Sequence, residues 1–91
     1  MPRYLIEREL PGAGRLSAED LHVMAKRSNH ILAGMAGRAQ WVQSYVLDNA
    51  ILCVYIADSP ESVREHSRAA GLPVTEIRQI VGIIDPTTGG A

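Results

Sequence analysis

The chain is short of most features that would narrow its function at once. Cys53 is its one cysteine, which excludes an intrachain disulfide. Nine Lys and Arg stand against ten Asp and Glu, a net charge of −1. No basic excess is left to neutralise phosphates, and this argues against nucleic acid as a main partner. No apolar run approaches the roughly 20 residues of a membrane span. The first ten residues mix apolar and charged side chains and do not read as a signal peptide. The expectation is a cytoplasmic protein with no membrane partner. No internal repeat, low-complexity run or linker divides the chain.

Catalytic signatures are missing as well. No two of His22, His30 and His66 have the i, i+4 spacing that sets two ligands on one helix face. Gly12-Ala13-Gly14 lacks the third glycine and the doubly wound setting of a dinucleotide fingerprint, and reads as a loop. The strand Ile51–Ile56 lacks the basic-Gly-aromatic signature of RNA-recognition domains. No nucleophile elbow surrounds Ser44 or Ser67. With no catalytic motif, the chain reads as a binding protein rather than an enzyme.

What is present describes one small α+β domain. At 91 residues there is room for one folding unit, and 46% apolar residues against 21% charged exclude a disordered chain. Residues 3–9 read as a strand. Pro11, Gly12 and Gly14 break it. Ser17 starts a helix with Asp20 in the capping-box position. Leu21, Met24, Ala25, Ser28, Leu32 and Met35 recur at helical spacing, and Gly34 and Gly37 end the run.

Residues 41–47 and 51–56 read as strands around an Asp48-Asn49 turn. Ser59 caps a second helix with Pro60 in its first position, and Gly71 and Pro73 close it. Residues 77–84 form a last strand. The order β-α-β-β-α-β predicts a ferredoxin-like, split-βαβ sandwich over residues 1–86, with an antiparallel sheet and both helices on one face. Residues 87–91 read as a flexible tail.

Strand alternation assigns faces. Val42, Ser44 and Val46, with Leu52, Val54 and Ile56, suit the helix-covered side. The open side then receives Trp41, Gln43 and Tyr45 beside Ile51, Cys53 and Tyr55. Three aromatics of roughly 150–250 Å² each make a larger patch than a monomer usually exposes. A second copy of the sheet is the simplest cover, so a homodimer through the open face is expected. In the sharper reading Trp41, Gln43, Tyr45, Cys53 and Tyr55 line a ligand cavity between facing sheets. The first strand leaves open whether Glu7 or Arg8 points into that space. His22 and His30 fall on exposed helix positions. Val63, His66 or Ser67, and Ala70 form the inner stripe of the second helix, which puts His66 on that face or at its margin, either as a hydrogen-bonded histidine at the helix–sheet boundary or as a metal ligand or general base. Cys53 alone reads as a small apolar residue.

The strings PRYLIERE, QWVQSYV, LCVYIA, VREHSRAAGLP and IIDPTT occur in this order across nearly the whole chain. Together they resemble a bacterial family, long classed as a domain of unknown function, whose members are described as small nickel-binding proteins. The resemblance implies a ferredoxin-like fold, a dimer and nickel as the bound metal. His66 and Glu7 fall in matching segments and are the metal candidates it suggests. Relatives often carry histidine two residues before the tyrosine of the second strand, where this chain has Gln43. Imidazole is a good Ni²⁺ ligand and a neutral amide oxygen a poor one. Two functions follow as expectations. One is a dimeric binding protein for nickel or another transition metal. The other is a dimeric α+β barrel-type enzyme or small-molecule binder using the cavity on the open sheet face.

Overall fold

The structure, a computed structural model of the chain, describes residues 1–90. The chain forms strand β1 (Arg3–Glu9), helix α1 (Ala18–Ala33), strands β2 (Ala39–Val46) and β3 (Ala50–Ala57), helix α2 (Pro60–Ala70) and strand β4 (Glu76–Ile80). The four strands make one antiparallel sheet in the order β2-β3-β1-β4. With two helices on one side, the domain is α+β and consistent with the ferredoxin-like arrangement.

The helices start where side chains satisfy their first free N–H groups. Ser17 and Asp20 bond each other's backbone N–H in a full capping box at α1. Ser59 Oγ accepts from the Ser62 N–H at α2, with Pro60 in the first turn. Gly71 ends α2 in the left-handed region, at φ 69° and ψ 27°. A Cβ there meets no neighbouring atom, so the strain of a substitution is purely conformational. Gly71→Ala is expected to cost about 1 kcal/mol, measured as a shift in the urea midpoint with an unchanged slope.

One face of the sheet is sealed by the helices. Tyr4, Ile6 and Arg8 of β1 point into it, with Ile51, Cys53, Tyr55 and Ala57 of β3, and all are buried. From α2, Val63, His66, Ser67 and Ala70 close over them. This corrects the face expected for β3. Leu52, Val54 and Ile56 lie on the open side, and Cys53 and Tyr55 lie under the helices. It also settles the first strand: Arg8 is inside at 1% exposure, and Glu7 is on the open side.

Strand β2 is split between the two readings. A bulge shifts the register between Trp41 and Gln43, so Trp41 pairs with Tyr55 while Gln43 pairs with Val54. The extra residue, Val42, reverses the alternation. Trp41 and Ser44 therefore both belong to the helix side, where Trp41 Nε1 donates to Ser44 Oγ at 2.9 Å. Gln43 and Tyr45 keep the open side that alternation predicts.

Strand β4 stops at Ile80, short of the expected Ile84. Its ladder partner β1 begins at Arg3, which pairs with Ile80, and no strand remains beyond for residues 81–84 to bond. Val81, Ile83 and Ile84 consequently stand 93%, 70% and 84% exposed. Running from the domain's expected last residue into the segment expected to be a loose tail, Pro86–Gly89 form a 3-10 turn capped by Asp85. Ala91 of that tail lies outside the described residues.

Candidate functional site

Arg8 organises the space between α1 and the sheet. Its strand residue is forced inward by the parity of Tyr4 and Ile6, so the guanidinium ends among the core side chains. Nε donates to Cys53 Sγ at 3.3 Å. Nη1 donates to Ser67 Oγ at 3.1 Å and to the Pro73 carbonyl at 2.9 Å, and Nη2 to the Tyr55 hydroxyl at 3.4 Å. The guanidinium carbon also lies 5.9 Å from the centre of the Tyr55 ring, within cation–π range. Every one of these acceptors is neutral. None of the ion pairs among the described residues includes Arg8.

Beside this group is a cleft of about 230 Å³, open on one side. Its floor is Arg8, Ile51, Cys53 and Tyr55 of the sheet, and its roof is Leu21, Met24, Ala25 and Ser28 of α1. Ala25 and Ser28 are the two smallest side chains of that roof. Trp41, Ser44, Val46 and Leu72 complete the walls.

His66 lies next to Arg8 and Tyr55, fully buried. Its ring is 5.3 Å from the Tyr55 ring and tilted by 53°. Nε2 shares a 2.9 Å hydrogen bond with Ser28 Oγ, tying α2 to α1. Nδ1 is buried with no partner among the described residues. Burial holds the imidazole below its ordinary pKa, and the positive charge of Arg8 adds to the effect, so the ring is neutral near pH 7. Burial likewise pushes the Tyr55 hydroxyl up, with Arg8 opposing.

The expected site residues are thus divided by the sheet. Trp41, Cys53 and Tyr55 come together, on the helix side rather than the open side. Gln43 and Tyr45 are neighbours on the open face and bond each other through Nε2 and the hydroxyl. The two metal candidates are separated, with Glu7 on the open face and His66 beneath the helices. Among the described residues no three His, Cys, Asp or Glu side chains gather in one place. The free Nδ1 of His66 stands beside a guanidinium that repels cations. A nickel centre completed within one chain therefore does not fit these residues. His22 and His30 are exposed, as their helix positions predict. Arg8 and Ser28 were not singled out as site residues by sequence reasoning. The signal for Arg8 was there: a charged residue in phase with Tyr4 and Ile6.

Comparisons with known proteins give two matches. Residues 4–80 match a family described as nickel responsive protein SCO4226-like. The chain is also similar to a solved structure, the crystal structure of SCO4226 from Streptomyces coelicolor A3(2). The TM-score is 0.74 at 17% identity, over 90% of this chain and 99% of that one. At that identity the likeness shows the fold alone. No curated protein matches the chain.

Proposed function

Because the chain belongs to the SCO4226-like family of nickel responsive proteins, we propose that it is a nickel-binding protein that works as a homodimer joined through the open face of its sheet. The observation that carries this reading is the character of that face. Leu5, Leu52, Val54 and Ile56 form its centre, half-buried within one chain and covered by no other element. Tyr45 is half exposed at one side, and Val81, Ile83 and Ile84 extend bare from the other. An uncovered apolar centre of this kind, with Arg3 and Arg78 in register beside it, has the character of an interface.

Polar donors border it. Glu7 and Glu76 stand opposite each other on β1 and β4, Glu76 in an ion pair with Arg78, with Gln43 and Tyr45 across the face on β2. Oxygen donors hold Ni²⁺ less tightly than imidazole does. A twofold axis through the face would supply each carboxylate twice, which one chain cannot do.

The test joins assembly to metal. In sedimentation, the tag-free, metal-stripped protein is expected to run as a dimer and Val54→Glu as a folded monomer. In calorimetry, the dimer takes up Ni²⁺ at a fixed ratio per dimer, and the monomer loses at least about tenfold in affinity. A native chain that is monomeric sinks the dimer. A dimer that takes up no Ni²⁺ ends the nickel reading.

A further inference from the structure

We propose that the cleft between α1 and the sheet binds a small monocarboxylate with an apolar body, its carboxylate paired with Arg8. This site lies on the other side of the sheet from the proposed dimer face and does not depend on it.

The argument begins with an unbalanced charge. An arginine side chain keeps its proton in proteins, so Arg8 carries a full charge at 1% exposure. A buried ion is ordinarily matched by an opposite one, because leaving water is costly. Here the acceptors are a thiol, two hydroxyls and a carbonyl. They use four of the five N–H donors that a guanidinium offers, and the second N–H of Nη2 has no partner among the described residues. The group that would complete Arg8 is an anion, and Arg8 lines the cleft.

The remaining walls define the rest of the ligand. Leu21, Met24, Trp41, Val46, Ile51 and Leu72 are apolar, and no acidic or second basic side chain lines the cleft. A polyanion such as a phosphate ester would find one cation and a greasy wall. A carboxylate on a short alkyl or alicyclic body matches both parts, with a charge-assisted bond at one end and apolar contact at the other. The volume sets the size. About 230 Å³ exceeds a cavity that admits benzene, roughly 150 Å³, and falls below the roughly 300 Å³ at which clefts begin to take drug-sized ligands.

Trp41 is the chain's one tryptophan and lines the cleft, so its fluorescence reports occupancy. The native protein is titrated with hexanoate, hexanamide, hexylammonium and acetate, and the Arg8 Nε–H resonance is followed in parallel. Hexanoate is expected to saturate both signals at least about tenfold more tightly than hexanamide or acetate, with no response to hexylammonium. In Arg8→Met the preference for hexanoate over hexanamide disappears. Equal binding of hexanoate and hexanamide overturns the pairing with Arg8, and equal binding of acetate overturns the apolar body. No saturable change in either signal up to millimolar hexanoate overturns the site. The comparisons on the native chain decide the matter even if the variant fails to fold. Ni²⁺ uptake is unchanged in every arm, so the two proposals fail separately.

Discussion

Arg8→Ala is expected to lower the unfolding free energy by about 3–5 kcal/mol, and Arg8→Met to leave it within about 1 kcal/mol of the native value or above it. Both are read from urea denaturation. The alanine variant removes one of the largest fully buried side chains and leaves a void between β1, β3 and α2. It also strips the Pro73 carbonyl and the Ser67 and Tyr55 hydroxyls of their donor. Methionine refills most of the volume with a flexible, uncharged chain. Both variants lose the same hydrogen bonds and remove the same ion, which burial penalises and no counter-ion offsets, so the void is what separates them. The lost bonds and the removed ion are of similar size and opposite sign, which is why the expected net change for methionine is small. A methionine variant as unstable as the alanine one would show that Arg8 is kept for its hydrogen bonds. A stable Arg8→Met that has lost the preference for hexanoate would show that the chain carries this charge at some expense to its fold.

Acid is expected to loosen the domain through His66. Its folded pKa lies below the ordinary value of 6.5, because burial and Arg8 both oppose the imidazolium. Arg8 of β1, Ser28 of α1 and Tyr55 of β3 face the ring, and none of them carries a negative charge to balance a proton. The unfolded chain therefore binds a proton first. The stabilisation is complete above pH 6.5 and is lost as pH falls from there towards the folded pKa. The slope in that window is at most about 1.4 kcal/mol per pH unit.

Chemical denaturation at pH 7.5, 6 and 5 should show the decline. His66→Gln should flatten it, whatever its stability at pH 7.5. A native chain equally stable at pH 7.5 and 5 would mean that the folded protein accommodates the imidazolium. The Asp58 and Asp85 carboxyls, held below 3.8 chiefly by hydrogen bonds from Ser62 and Thr87, titrate in a lower window and do not confuse the reading.

The elements were largely legible from the chain, and the faces were only half so. Ser17, Asp20, Ser59, Pro60 and Gly71 act locally, on backbone groups a few residues away, and their type and spacing identify the helix ends. Strand parity is a different kind of information. In β3 the run Ile51-Leu52-Cys53-Val54-Tyr55-Ile56 is apolar at every position, so alternation offers nothing to choose between. The answer came from its neighbour β1, where Arg8 pairs with Ile51 and Tyr4 with Tyr55. An inward arginine is the reverse of what polarity suggests. The end of β4 was hidden for a related reason: residues 81–84 have the composition of a strand, and what stops them is the start of β1 on the other side of the ladder. Of the candidate site, Trp41, Cys53 and Tyr55 were recognised as a group but assigned to the wrong side. The cleft itself was beyond reading, since it lies between α1 and the sheet and depends on how the two pack.

The bulge at Val42 has an evolutionary consequence. Strand β2 borders two compartments of opposite character, and the bulge lets Trp41 and Gln43, two residues apart, face different ones. Deleting the Val42 codon would leave Trp41 and Gln43 as neighbours on opposite faces, with their pairings to Tyr55 and Val54 unchanged, so the indole would stay in the cleft. An indel between Gln43 and the β2–β3 turn is the damaging kind: with the turn pairing kept, it slips the register by one and turns Trp41 to the open face, removing one wall of the cleft with no residue changed.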